Sequence, residues 1–206
     1  YLKSLIKKNK IKILFNRSFK FNEIDKFDKV IVTAYSNNGE ILHSLKQENI
    51  IARKYELIEK TIIKLPKFYN NKSFIVLDGK FLNVDPYCGT NFHLLSSNRY
   101  SKIETIKNKF PIFKSYKKRY CDNKIHRNIN KSVFNKIIKN QKKYLPFLSK
   151  SKYIGSYFVV RALSSNFLKN DERTTNIRKI NDKFYTVLGG KWNTCVGTAF
   201  KLKKIL

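Results

Sequence analysis

The sequence predicts an α/β unit joined to an α+β cap built on an antiparallel sheet. Three observations carry that expectation: one apolar run near the start, alternating strand patterns through the middle, and a strand–Gly-Gly–helix segment near the end. The run Phe27-Asp-Lys-Val-Ile-Val-Thr-Ala-Tyr35 ends in small or polar residues, as a parallel strand covered on both faces does.

Taken in order, Tyr1 to Lys10 has helical spacing through Leu2, Leu5 and Ile6, and Ile11-Lys-Ile-Leu-Phe15 follows as a short strand. Phe27 to Tyr35 is the next strand, and Ser36-Asn-Asn-Gly-Glu40 is a turn or helix start. This opening has the order of the tail of an α/β nucleotide-binding domain. From about Arg53 the texture becomes alternating. Tyr55 to Leu65, Ser73 to Asp78, Phe81 to Val84, Phe92 to Leu95 and Tyr100 to Ile106 read as strands, with turn signals at Asp78-Gly79 and Cys88-Gly89. Lys107 to Asn130 is basic, aromatic and irregular, and reads as a long loop. Ser132 to Lys143 is helical through Val133, Ile137 and Ile138, and Tyr153 to Leu163 is another strand. Phe184 to Leu188 is a buried strand, Gly189-Gly190 a turn, and the rest an amphipathic helix with Trp192, Cys195, Val196 and Ala199 on one face. These elements divide the chain at 1–50, 51–174 and 175–206.

Composition narrows the function classes. With 42% hydrophobic and 14% aromatic residues the chain can bury a core. No apolar run is long enough to span a bilayer, and no signal-type segment opens the chain. Met is absent throughout, so the expectation is a piece whose N-terminus lies upstream. Cys88, Cys121 and Cys195 are odd in number and far apart, as are His43, His93 and His126; this spacing argues against a disulfide framework and a metal cofactor, and for a reduced, cytoplasmic setting. The 44 Lys+Arg against 14 Asp+Glu, a formal charge of +30, read two ways. A basic nucleic-acid-binding module whose Tyr and Phe stack bases is one. The other is codon bias, since Lys rises together with Asn, Ile, Phe and Tyr and is spread along the chain. On that reading there is no specific nucleic-acid partner.

Paired glycines between a strand and a helix let a ligand approach bare backbone, and the first helical amides carry the positive end of the helix dipole. Such a turn suits an anion or an oxygen that gains charge during a reaction.

Several stretches resemble FAD-dependent oxidoreductases of the D-amino-acid oxidase type. Ile75-Val-Leu-Asp-Gly-Lys-Phe-Leu-Asn-Val-Asp-Pro-Tyr-Cys-Gly-Thr-Asn-Phe-His-Leu-Leu95 is similar to that family's substrate-domain sheet. Ile154-Gly-Ser-Tyr-Phe-Val-Val-Arg161, with Asn170-Asp-Glu-Arg173, looks like the strand and loop before its last flavin-binding segment. Val187-Leu-Gly-Gly-Lys-Trp-Asn-Thr-Cys195 is similar to that segment itself, with a Gly-Gly-Lys like that of the glycerol-3-phosphate dehydrogenase branch. Asp28-Lys-Val-Ile-Val-Thr-Ala34 is similar to the strand whose end approaches the FAD. The resemblance implies a partial FAD/NAD(P)-binding domain, formed by 1–50 and 175–206, around a substrate domain at 51–174. It departs from the family in having no G-x-G-x-x-G, so the implied piece lacks the N-terminal half of the cofactor domain.

The implied activity is hydride transfer to flavin from an amino acid, an amine or a hydroxy acid. FAD is the implied cofactor and a small molecule the partner. A non-catalytic relative of the same fold is the alternative within the family. The resemblance assigns Thr33, Ala34, Gly189, Gly190, Lys191 and Thr194 to the cofactor. It assigns Arg161 to a substrate carboxylate, which an Arg grips with two parallel hydrogen bonds. An ion pair with Asp171 or Glu172 is the other reading of Arg161. His93 reads as a core or edge histidine before a site residue, Cys195 as apolar filler, and Arg173 as a residue that orients its loop.

Overall fold

The longest strand organises the larger sheet. A computed structural model describes residues 1–77, 81–163 and 175–206. In it Arg53–Lys64 forms one twelve-residue strand, buried over most of its length. Numbering strands and α-helices in chain order, this is β2; it follows α1 (Leu2–Lys8), β1 (Val30–Val32) and α2 (Asn38–Ser44). Along one edge β2 pairs antiparallel with β7 (Lys152–Leu163), from Lys54↔Leu163 to Lys64↔Lys152. Along the other edge its first half pairs with β6 (Lys102–Asn108) and its second half with β5 (His93–Ser97). β4 (Leu82–Pro86) and β3 (Phe74–Val76) extend the sheet beyond β5. Side chains on a strand alternate between faces, so each face needs its own cover. On one face Ile63, Leu65, Leu82, Val84 and Leu95 pack with Ile137 of α3 (Phe134–Gln141) and with Leu148.

The expected turn after Tyr87 is present. Tyr87 N–H donates to the Phe92 carbonyl at 2.9 Å, and Gly89 has φ +74°, where glycine is favoured. The other expected turn, Asp78-Gly79, lies outside the described residues. The expected loop at Lys107–Asn130 begins two residues later, because β6 runs on to Asn108, and beyond that it is irregular apart from one short 3-10 turn at Tyr116–Tyr120 and a single bridge at His126. It is nevertheless tied to the sheet: the Glu104 carboxylate accepts from the Lys114 and Ser115 amides, and His126 and Ser156 exchange main-chain hydrogen bonds at 2.9 and 2.8 Å.

β8 (Asn176–Lys179) and β9 (Phe184–Leu188) return to the start of the chain. The second sheet has the order β1-β9-β8, with β1 parallel to β9 and β8 antiparallel to it. α2 covers one face, and Ile24, Val32, Leu42, Leu45 and Phe184 form the core there. Tyr55, Ala162 and Leu188 pack between the two sheets, and the Tyr35 hydroxyl donates to the Ala162 carbonyl at 3.1 Å.

Four expectations need correction. Ile11–Phe15 is not a strand; Ile11, Ile13, Leu14 and Phe15 are exposed and no strand pairs with them, so nothing satisfies an extended backbone there. β1 is only Val30–Val32, shorter than the expected Phe27–Tyr35, because only three register pairs join it to β9 and Tyr35 turns the chain at φ +54°. It is covered on one face rather than both, Ile31 being exposed. The final helix, α4 (Cys195–Ile205), buries none of its residues; Val196 is exposed, and Trp192, just before it, is 89% exposed.

Candidate functional site

Parallel neighbours β1 and β9 end at the same side of their sheet, and the chain leaves each strand there at Thr33 and Gly189. Ligands of α/β sheets bind outside the carboxyl ends of such strands. A mainly apolar cavity of about 570 Å³ occupies this place. Thr33 and Tyr35 line it from β1, Val187 and the Gly189-Gly190-Lys191 turn from β9, and Trp192, Cys195, Ala199 and Leu202 from the start and one side of α4. A Cβ built on Gly189 would meet no atom within 4 Å, so the backbone is bare there.

The turn is closed by a chain of hydroxyls. The Gly190 amide donates to Thr175 Oγ1 at 3.2 Å, Thr175 and Thr194 hydroxyls meet at 2.8 Å, and Thr194 Oγ1 donates to the Lys191 carbonyl at 2.7 Å. A hydroxyl has one hydrogen, so Thr175 is the donor to Thr194. The Gly190 amide and the Thr194 hydroxyl, both expected to face an oxyanion, are therefore committed to holding the turn in shape. Lys191 makes no side-chain capping bond and lines the cavity.

Five of the seven expected site residues thus come together: Thr33, Gly189, Gly190, Lys191 and Thr194. Ala34 lies on the far side of Thr33, in a separate groove with Phe19, Phe27 and Ile41. Arg161 is also elsewhere. Strand alternation turns Tyr55 and Ala162 toward Leu188, and places their neighbours Glu56 and Arg161, themselves a register pair, on the opposite face. There Arg161 Nε donates to Glu56 Oε2 at 2.8 Å and Nη2 reaches the same oxygen. Lys54 and Lys102 stand 3.4 and 3.5 Å from Glu56 Oε1. Burial alone would raise the Glu56 pKa, but the Arg161 hydrogen bond and charge, with Lys102 and Lys54, hold it below the ordinary carboxylate value. The guanidinium fork expected for a substrate carboxylate is thus taken by Glu56. The alternative partners, Asp171 and Glu172, lie outside the described residues, as does Arg173.

His93 is a core histidine, 1% exposed, with Nε2–H donating to the Tyr69 carbonyl at 3.1 Å. Cys195 is exposed at the cavity rather than packed as filler. The reading from residues missed Tyr35, Thr175 and Glu56. Tyr35 and Thr175 carry no motif. Glu56 could be matched to Arg161 only through the β2–β7 register, which joins residues 105 positions apart.

Among the described residues no helix is long and apolar enough to cross a membrane, and no group of His, Cys, Asp or Glu could hold a metal ion.

No family model matches the sequence. No curated protein matches it either. A solved structure of iminodiacetate oxidase from Chelativorans sp. BNC1 is similar at a TM-score of 0.45 and 12% sequence identity, over 79% of this chain. The match spans 37% of the oxidase chain.

Proposed function

We propose that this chain supplies the Gly-Gly-Lys side of a flavin site in an FAD-dependent oxidoreductase acting on an amino acid, an amine or a hydroxy acid. The observation that carries the reading is the apolar cavity at the carboxyl ends of the parallel pair β1 and β9, with a bare glycine backbone at its edge. The residues fit such a group. Apolar walls from Val187, Ala199 and Leu202 suit a flat ring system, and Gly189 lets it approach the main chain. Lys191, which lines the same cavity, is assigned to the negative charge of a reduced ring. A bound flavin accepts a hydride from a substrate C–H. The chain's own part is to bind, to keep the turn rigid through Thr175 and Thr194, and to balance charge through Lys191. Cofactor contacts are assigned to Thr33, Gly189, Gly190 and Lys191, with Thr194 as a positioning residue and Ala34 outside the cavity.

The single tryptophan, Trp192, lines this cavity and gives the test. Added FAD or FMN is expected to quench Trp192 emission saturably, and Lys191→Gln to weaken binding of the reduced more than of the oxidised cofactor. Emission that falls only linearly with flavin, as collisional quenching does, overturns the reading.

A further inference from the structure

On the Arg161 face of the larger sheet lies a second cavity, of about 360 Å³, with a polar lining. Arg161, Lys60 and Lys102 reach it from β7, β2 and the start of β6, and Asn83, Ser96 and Asn98 from β4, β5 and the turn after β5. No carboxylate among the described residues lines it. Among the described residues the acid beside it is Glu56, which is fully buried and already serves Arg161, Lys54 and Lys102.

Of the cations lining the cavity, Lys60, Lys102 and Arg161, the last two share the Glu56 carboxylate. Lys54, Lys102 and Arg161 have side chains only 22, 33 and 20% exposed, and Lys60 is half-buried. Withdrawing cations from water without matching anions is costly, and the cations of this cavity outnumber the carboxylates among the described residues. Codon bias accounts for lysines on an open surface, where each is solvated at little cost. It does not account for a surplus partly withdrawn into one polar recess. Lys60 has no hydrogen-bonded or ionic partner among the described residues, and Arg161 Nη1 takes no part in the Glu56 pair. Two donors of positive charge thus stand toward the cavity, with amide and hydroxyl groups between them that can complete the coordination of oxygens.

We infer that this cavity is a binding site for a compact oxyanion carrying two or more charges, a phosphate or a polycarboxylate. Arg161 and Lys60 make its principal contacts, and Asn83, Ser96 and Asn98 set its orientation. Glu56 holds Arg161 in place and lowers the excess charge when the site is empty of anion. The inference is independent of the flavin reading, because the cavity lies on the other face of the sheet from the Gly-Gly-Lys turn.

Isothermal titration of the folded chain with inorganic phosphate, citrate and acetate, at matched ionic strength near about 0.15 M, tests it. Saturable binding of phosphate or citrate, and not of acetate, is expected, and whichever binds more tightly names the source of the oxygens. Lys60→Gln, which breaks no internal pair, is expected to lower affinity about tenfold. Asn98→Ala is expected to lower it less, and Lys139→Gln on the exposed side of α3 to leave it within about twofold. Unchanged thermal midpoints in the three variants show that the fold is kept. Absence of saturable binding, equal binding of acetate, or equal losses in Lys60→Gln and Lys139→Gln would each overturn the site, the last by showing that only the overall +30 charge attracts anions.

Discussion

The two sheets differ in where they hold charge and in what lies beside their exposed apolar groups. In the six-stranded sheet, carboxylates are drawn inside. Glu59 is fully buried, accepting from Lys117 at 3.1 Å, from Ser132 at 2.5 Å and from Ser156 at 2.6 Å, while Glu56 is buried against Arg161. In the three-stranded sheet and its helix, apolar groups are left outside, among them Ile31, Trp192, Val196 and Phe200. The first region holds its carboxylates through internal ion pairs and hydrogen bonds. The second presents apolar surface next to a cavity, the surface character of a place where something binds.

The sharpest way to break this contrast is at Glu59. Glu59→Ala leaves Lys117, itself only 7% exposed at its side chain, without its carboxylate. It also frees Ser132 and Ser156, which hold the loop and α3 against the sheet. A loss of about 3–5 kcal/mol in unfolding free energy by urea titration is expected, as for the breaking of a buried pair. A loss below about 1 kcal/mol would mean that water replaces the carboxylate and that the network is not sealed.

Two glycines make the same comparison at smaller scale. A Cβ on Gly155 would lie 2.8 Å from both the His126 carbonyl and Ile125 Cγ2, where β7 meets the long loop. Gly155→Ala is expected to cost about 1–3 kcal/mol through overpacking. Gly189→Ala meets open space and is expected to stay within about 0.5 kcal/mol. Its cost appears instead as weaker quenching of Trp192 by flavin, if the bare backbone is what the ring approaches. Equal thermal midpoints for the two alanine variants would remove the distinction between them.

The Glu56 pair gives a pH signature. Its folded pKa lies below the unfolded value of about 4.3, so its stabilising contribution is complete above that value. As pH falls the unfolded state takes up the proton first, and the contribution is lost through the window down to the folded pKa. Arg161→Gln removes the main cause of the depression. The stability difference between wild type and variant should therefore shrink as pH falls through that window, read as unfolding free energy between neutral pH and pH about 3. A difference that stays constant would show that Arg161 acts by packing alone.

What the sequence makes legible follows the same division. Alternation over Tyr55 to Leu65 and Tyr153 to Leu163 reports strands whose faces are buried, and β2 and β7 lie there within a few residues. The Gly-Gly turn is readable because glycine marks a backbone need. The pattern fails where tertiary pairing decides. Ile11–Phe15 has the composition of a strand but no neighbour, and β1 is cut to the length of its partner's register. Arg161 reads as a residue for a substrate carboxylate or for Asp171 or Glu172, and the carboxylate it holds among the described residues is Glu56. That pairing is a fact of the β2–β7 register, absent from any local stretch of sequence.

The smallest effect on stability separates the two regions best. Trp192 is 89% exposed, so Trp192→Ser removes little packing and should change unfolding free energy by no more than about 0.5 kcal/mol. A smaller aromatic inside the larger sheet, Phe158 at 1% exposure, should cost about 3–5 kcal/mol on truncation to Ala. The apolar area of Trp192 therefore does no work in the folded chain alone. If the cavity beside it holds a flat ring, that area is removed from water only on binding, and Trp192→Ser lowers flavin affinity, followed by flavin absorbance in equilibrium dialysis, while leaving the unfolding curve in place. A variant that loses stability and keeps affinity would invert the assignment and make the tryptophan part of the fold rather than of the site.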